Sequence, residues 1–430
     1  MKNTLAVIMA GGKGERLMPL TEHRSKPAIP LWGIYLLIDL TLSNCINSGV
    51  YKIIVLPQYK SQTLMQHLEG GWNIFSPALG HYLKIAPPQM MAGEKWYQGT
   101  ADSIRQNVYL IEEASPEYVL ILSGDHVYKM DYSLFKAYHE AQNADVTIAV
   151  IELGKDMAGQ YGILEVDKQF RVRGFQEKPS SPKTIPGDSV HVLASMGIYI
   201  FKTQVLIDLL EKDNRSDFGK HILPGILETY RVMAYPYRRE NKIEDVIFYT
   251  DEDGERRETV EIIRDAGYWR DVGTLDSYWN ANMDMTGVDP YFNMYGRHWP
   301  IRTFQRQFPP VKTVFAQESG QTPRVGKALD SLVAHGSILS GSIVRNSVLS
   351  YNVFVQSWAT VEESVVMENV VVGRHSRIKK AIIAEGVRIP SYTEIGYSPR
   401  KDRKRFTVTP RGITVVTQED FEARTDICKE

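Results

Sequence analysis

The chain has 430 residues, a 43% apolar fraction, and 50 Lys+Arg against 51 Asp+Glu for a formal net charge of -1. That length exceeds a single compact core and points to two or three domains; the composition excludes wholesale disorder, and the balanced charge excludes a dedicated nucleic-acid binder. Two cysteines, Cys45 and Cys428, exclude both a disulfide framework and a Cys-rich zinc pattern. The longest early apolar run, Leu5–Ala10, is too short for a signal core, and no stretch reaches the roughly 20 apolar residues of a membrane span. The expectation is a soluble, cytoplasmic protein with no membrane partner.

In chain order, buried strands are expected at Leu5–Ala10, Tyr51–Leu56, Tyr118–Ser123 and Val146–Ile151. Helical patterns fall at Gln62–Glu69, Ala101–Ala114 and Tyr132–Asn143. Near-continuous apolar strands alternating with helices predict a mostly parallel α/β sheet covered on both faces. Ligands then bind beyond the carboxyl ends of the strands. Between Arg238 and Asp265 more than half of the positions are charged, and Val246–Tyr249, the acidic turn Asp251–Gly254 and Thr259–Ile263 predict an exposed hairpin. From Asp289 onward Pro and Gly recur without period, which marks a linker.

The last third repeats. Ile338, Val355, Val372 and Ile389 are 17 apart, as are Val344, Val361, Ile378 and Ile395, and Val348, Val365 and Ile382. Asn352, Asn369 and Gly386 keep the same step. Inward aliphatic ladders with Asn or Gly at corners of positive φ predict a triangular β-helix, with its coils between Leu332 and Ile395.

Several loops carry candidate chemistry. Gly11-Gly12-Lys13-Gly14-Glu15-Arg16-Leu17 follows the first strand; it is neither a Walker A loop nor the dinucleotide fingerprint. Its backbone N–H groups can still approach a phosphate, with Lys13, Arg16 and Lys26 as cations; a tight turn with solvated charges is the plainer reading. Asp125, directly after Tyr118–Ser123, suits Mg²⁺, and Asp271 is the candidate second carboxylate; a helix cap explains a lone Asp equally well. His126 reads first as a structural histidine. Glu177-Lys178-Pro179 is either a solvated pair or a rigidly presented cation. Arg400, Lys401, Arg403, Lys404, Arg405 and Arg411 form a basic cluster, read as a solvated surface or a small-anion site.

Taken together, Gly11–Leu17, Arg24–Ala28, Ser43–Gly49, Trp96–Asp102, Gly124–Tyr132, Glu177–Pro179, Leu193–Tyr199, Ser216–Lys220 and Tyr268–Thr274 resemble the bacterial ADP-glucose pyrophosphorylases over nearly the whole chain. The resemblance implies a Rossmann-like nucleotidyltransferase domain at 1–288, a linker at 289–330 and a left-handed β-helix domain with a basic C-terminal segment at 331–430. It implies that ATP and glucose 1-phosphate give ADP-glucose and pyrophosphate, with Mg²⁺ on Asp125 and Asp271. Arg16, Lys26 and Asp125 would be catalytic. Gly11, Gly12, Gly14, Arg16, Gln58, Gly99 and Thr100 would bind ATP. Tyr97, Gly162, Glu177, Lys178, Ser195, Asp217, Phe218 and Trp269 would bind glucose 1-phosphate. Gln58 and Trp96 lie in loops that relay activation in the family. Arg24, Arg400, Arg403 and Arg405 would form a site for a small phosphorylated effector, and the family pattern is a homotetramer.

The departures concentrate where the family is regulated. His23 replaces a basic residue before Arg24, Pro30 stands where some members have His, and Ile34-Tyr35-Leu36 replaces a Lys-aromatic-Arg stretch. Three other readings stay open at this point. One is a pyrophosphorylase for another nucleotide or sugar. Another is a non-catalytic regulatory subunit, although Asp125, Asp271 and Lys178 are all present. The last is a β-helix acyltransferase built on His335 or His375.

Overall fold

A computed structural model describes residues 1–89, 96–319 and 323–422; Cys428 lies outside them. The chain forms two compact units interleaved in sequence. The first comprises Met1–Gly12, Ile38–Trp269 and Met294–Arg302, and the second Lys13–Leu37, Arg270–Asn293 and Thr303–Glu430.

The first unit is built on strands β1 (Thr4–Ala10), β2 (Lys52–Pro57), β3 (Tyr82–Ile85), β4 (Tyr118–Ser123), β5 (Val146–Gly154), β6 (Gly162–Val166), β7 (Val172–Glu177), β8 (His191–Lys202) and β9 (Val232–Pro236). They make one nine-stranded sheet whose main path runs β7-β6-β8-β4-β1-β2-β3, with β5 joining β8 to β9. The pairs β1/β2, β1/β4, β2/β3 and β5/β9 are parallel, while β8 runs antiparallel to β4, β5 and β6. Leu5, Ala6 and Ile8 of β1 and Val119–Leu122 of β4 are fully buried, as a sheet covered on both faces requires. The four expected strands thus form within a few residues of their sequence bounds.

Helices α1 (Leu37–Asn47) and α2 (Gln62–Gly71) come first, and the helix expected over Ala101–Ala114 is two, α3 (Thr100–Arg105) and α4 (Val108–Ala114). The break falls at buried Asn107, whose side-chain amide donates to the Ser103 carbonyl at 2.8 Å and to the Tyr97 hydroxyl at 2.8 Å. An Asn that bonds nearby backbone competes with the helix ladder. The third expected helix forms as α5 (Tyr132–Ala141), capped by the Asp131 side chain. The charged insertion is the expected hairpin, β10 (Glu244–Thr250) against β11 (Arg256–Ile262). A small cluster of Ile243, Ile263, Ala266 and Trp299 anchors its base.

The second unit is a left-handed parallel β-helix of three walls. Val344, Val361, Ile378 and Ile395 stack in register, as their spacing predicts. Corners of positive φ recur at Asn352, Asn369 and Gly386. Three details differ from expectation. The inward residue of the first ladder is Leu339, which pairs with Val355 and is fully buried, whereas Ile338 pairs with Phe354 and is 37% exposed. The step there is one shorter than elsewhere in the ladder, so parity moves Ile338 to the outer face. The helix also begins earlier: Lys312–Val314 and Lys327–Leu329 already pair as rungs, inside the stretch expected to be linker. The longer step from Lys312 to its partner Ile338 hides that rung from a period search.

The third wall is the third difference: its inward residues are Leu349, Val366 and Ile383 rather than the expected Val348, Val365 and Ile382, which lie on the outer face one residue away yet are buried too. Two segments of the same unit lie against this wall. Gly33 packs on the Leu349 carbonyl. Trp279, on helix α6 (Leu275–Met283), donates its indole N–H to the Glu363 carbonyl at 2.9 Å. The segment 13–37 is itself pinned to α6: Trp32 donates to the Ala281 carbonyl at 2.7 Å and Tyr278 donates to the Pro30 carbonyl at 2.7 Å.

Candidate active site

Within the second unit, the Gly-rich loop turns at Gly14, whose φ of 65° is left-handed and whose carbonyl accepts from Thr21 Oγ1 at 2.9 Å. A side chain there would meet Thr21 Cγ2 at 2.9 Å, so glycine is required. The turn opens a short helical segment, Glu15–Leu17, that buries Leu17 and leaves Arg16 exposed. Lys26 is 8% exposed and places Nζ 3.2 Å from Asp271 Oδ1. Arg16 reaches the same place: a Cβ on Gly273 would lie 2.9 Å from Asp271 Oδ2 and 3.0 Å from Arg16 Nη2. Asp271-Val272-Gly273 is therefore a tight turn with no room for a side chain, ended by Thr274, which caps α6 in a reciprocal box with Ser277. Arg16, Lys26 and Asp271 thus form one cluster.

Within the first unit, β4 delivers Asp125. The Ser123 hydroxyl donates to Asp125 Oδ1, the same oxygen that lies 3.6 Å from His126 Nε2. Thr41 Oγ1 donates to the Ser123 carbonyl at 2.8 Å and fixes the strand end. Oxygen donors of this kind at a strand end suit a hard cation such as Mg²⁺.

The residues expected at the sugar phosphate gather in the same unit. Gly162 pairs with Glu177 across β6 and β7, and a methyl on Gly162 would strike Phe175 at 2.5 Å and Glu177 Oε2 at 3.1 Å. Asp217 caps the turn Phe218–Ile222 by accepting from Lys220 N at 2.9 Å. Lys178 holds a left-handed φ of 49°, donates its N–H to the Tyr161 carbonyl at 2.9 Å and leaves its head largely exposed. Ser195 sits at a register shift in β8, where Gly197 N donates to its hydroxyl at 3.2 Å. The Trp269 ring meets His126 at 5.3 Å and Tyr161 at 5.6 Å, both edge to face. Its buried indole N–H has no acceptor among the described residues.

Tyr199 belongs to this group although nothing in the sequence separates it from a core tyrosine. Burial pushes its phenol up to about 12; the Ser195 hydroxyl opposes that shift, and the charges of Asp217 and Glu177 add to it. Phe175 is the other residue that sequence reasoning missed, since its closeness to Gly162 depends on strand pairing.

Other expected site residues are engaged elsewhere. The Tyr97 hydroxyl is buried, donating to the Ala86 carbonyl at 3.1 Å and accepting from Asn107. Gln58 packs on Gly11 and donates to the Tyr97 carbonyl at 3.2 Å, while the neighbouring Tyr59 stacks on Trp96 at 5.7 Å. Gly12 is exposed. Gly99 and Thr100 open α3 against the Ser216–Phe218 loop: Ala101 N donates to the Ser216 carbonyl at 2.8 Å and Phe218 N to Thr100 Oγ1 at 3.1 Å. In the second unit Arg24 is ion-paired with Glu385. Arg400 and Arg403 are exposed, and Arg405 lies 4.8 Å over the Phe406 ring.

A mostly parallel sheet with a Gly-rich loop, strand-end carboxylates and a hexapeptide-type β-helix defines a nucleotidyltransferase. Residues 5–287 match the family described as nucleotidyl transferase, and residues 309–416 the GlmU-like C-terminal hexapeptide family. The chain is 47% identical over 426 residues to the glucose-1-phosphate adenylyltransferase of Koribacter versatilis, covering 97% of this chain and 96% of that one. It is 45% identical to that of Rhodopirellula baltica (98% and 92% covered) and 43% identical to glucose-1-phosphate adenylyltransferase 2 of Vibrio cholerae (97% and 98% covered). The chain belongs to the glucose-1-phosphate adenylyltransferase family. No helix among the described residues is long and apolar enough to cross a membrane.

Proposed function

We propose that the chain transfers AMP from ATP to glucose 1-phosphate, giving ADP-glucose and pyrophosphate for α-glucan synthesis. A phosphate oxygen of glucose 1-phosphate attacks the α-phosphorus of ATP, the new P–O bond forms, and the bond to the β-phosphate breaks in line. The nucleophile is already an anion, so neither a strong base nor a covalent intermediate is needed. The chain's task is to bring two polyanions together and to offset the charge that develops.

The grouping of Arg16 and Lys26 at Asp271 supports this reading best: two cations beside a carboxylate, at the Gly-rich loop, suit a polyphosphate and its counter-ion. Gly11, Gly12, Gly14 and Gln58 would line the nucleotide, with Gly99 and Thr100 contributing to the same site. Glu177 and Asp217 would accept from sugar hydroxyls, Lys178 would meet the sugar phosphate, and the Trp269 N–H would donate to a polar atom of the ligand. Ser195, Gly162, Phe218 and Tyr97 would shape that pocket. Asp125 and Asp271 would hold Mg²⁺, which offsets phosphate charge when bound; Ser123 orients the first carboxylate and Lys26 the second.

The same reading has a catalytic domain at 1–288, a linker at 289–330 whose later part supplies the first rungs, and a β-helix domain at 331–430. It has a cytoplasmic homotetramer answering to a phosphorylated effector through the basic segment around Arg400, Arg403 and Arg405. The test is pyrophosphate release from purified protein with each nucleoside triphosphate and a panel of sugar 1-phosphates. Turnover fastest with ATP and glucose 1-phosphate is expected. Preference for another pair, or no turnover with any, overturns the proposal.

A further inference from the structure

One wall position of the β-helix carries Tyr351, Glu368 and Glu385 on successive coils, separated by the constant ladder step. Gly386 N donates to the Glu368 carbonyl at 2.9 Å, so the two glutamates sit one above the other at coil spacing, about 4.8 Å. Like charges directly opposite on neighbouring strands repel. Glu368 is only 8% exposed, so water screens little of that repulsion.

Two arginines from outside the coils lie on this ladder. Arg306 pairs with Glu368, and a little further along the chain Phe308 stacks on Tyr351 at 5.4 Å. Arg24, from the segment that also carries Arg16 and Lys26, pairs with Glu385. The residue expected to bind an external anion is thus already held by the chain's own carboxylate.

We propose that Glu368 keeps a proton beside the Glu385 carboxylate, and that this proton sets how firmly the segment carrying Arg24 is fastened to the β-helix. With the proton on Glu368, its hydroxyl donates to the Glu385 carboxylate, whose charge remains on Arg24. Without it, two carboxylates face Arg24 and Arg306, and because Arg24 favours the ionised Glu368 the segment is held more firmly. Burial and the neighbouring Glu385 raise the Glu368 carboxyl to about 7, with Arg306 and Arg24 opposing, which places the change near neutral pH. The charged groups bearing on Glu368 are therefore Glu385 on the next coil, Arg306 on the extended stretch and Arg24 on the loop. Tyr278 of α6 also senses Arg24, while Glu22 and His23 turn toward Glu419.

The folded state holds a proton that the unfolded chain releases near pH 4.3, so this contribution to stability falls as pH rises toward 7 and stays lost above it.

The experiment uses the full chain and compares the unsubstituted protein with Glu368→Gln and Glu385→Gln. Hydrogen exchange of peptides covering residues 20–30, corrected for intrinsic rates, and thermal melting are read at pH 6 and pH 8. The expected result is higher protection of this segment at pH 8 together with a melting temperature lower by a few degrees, with both pH effects flattened in each variant. Glu385→Gln carries the test alone if Glu368→Gln fails to fold, because the Glu385 side chain is partly exposed. An equal pH response in all three proteins, or none in the unsubstituted one, overturns the proposal. Because the readout involves no substrate, it stands apart from the activity assay.

Discussion

Lys26 and Asp271 lie 245 residues apart in the chain, and the fold brings Nζ to 3.2 Å from Oδ1. The pair belongs to one compact unit with Arg16, so the cation proposed for phosphate and the carboxylate proposed for the metal share one local scaffold. Lys26→Met keeps most of the volume and removes the charge. A loss of about 10²–10³ in kcat is expected, the range for deleting one charge-stabilising donor; steady-state pyrophosphate release measures it, and an unchanged kcat would remove Lys26 from the machinery.

Asp125 and Lys178 are expected to separate kinetically. Asp125→Asn keeps the Ser123 contact but loses the anion, and lowers kcat above all. Lys178→Ala removes an exposed cation held on a strained backbone and raises KM for glucose 1-phosphate above all. Equal effects of both changes on both constants would count against the two roles.

Trp269→Phe deletes the unpartnered indole N–H and keeps an aromatic ring between His126 and Tyr161. One neutral hydrogen bond is worth about 1 kcal/mol, so KM for the sugar phosphate should rise about five- to tenfold, with KM for ATP unmoved. Titration of both substrates distinguishes the cases.

Gly396→Ala is expected to unfold the β-helix end. Gly396 has a φ of 82°, and a Cβ there would collide with the Lys379 carbonyl oxygen. Backbone against backbone has no rotamer to yield, so a loss of about 3 kcal/mol or more is expected in urea unfolding.

Acid should weaken the first unit through His139. Burial, with Lys202 adding, lowers its imidazole to about 4, and Nδ1 lies 2.8 Å from Thr147 Oγ1. A depressed histidine is neutral when folded and protonated when unfolded between about pH 6.5 and 4, so stability falls as pH drops through that window. The expected slope is about 1.4 kcal/mol per pH unit, absent in His139→Phe. Denaturant melts at pH 6 and pH 4.5 supply the measurement.

Much of this is legible in the residues. Continuous apolar runs mark β1, β2, β4 and β5 because a strand buried on both faces tolerates little else. A constant step marks the β-helix because stacked coils must present the same side chain inward at each turn. The reading misplaces Ile338 where the step shortens by one, and it misses the rung at Lys312 where the step lengthens. It also misses Tyr199 and Phe175, because a strand aromatic beside a ligand and one in a core have the same local pattern.

Periodicity and turn chemistry are local properties, carried by neighbouring residues, and they determined by themselves that this chain folds as an α/β sheet and a coil of short parallel strands. Which charge meets which was decided only in three dimensions, because Coulomb energy depends on separation in space and on burial. Lys26 on Asp271 and Arg24 on Glu385 are the result: near neighbours at one end of each pair, they find partners in quite different parts of the chain at the other.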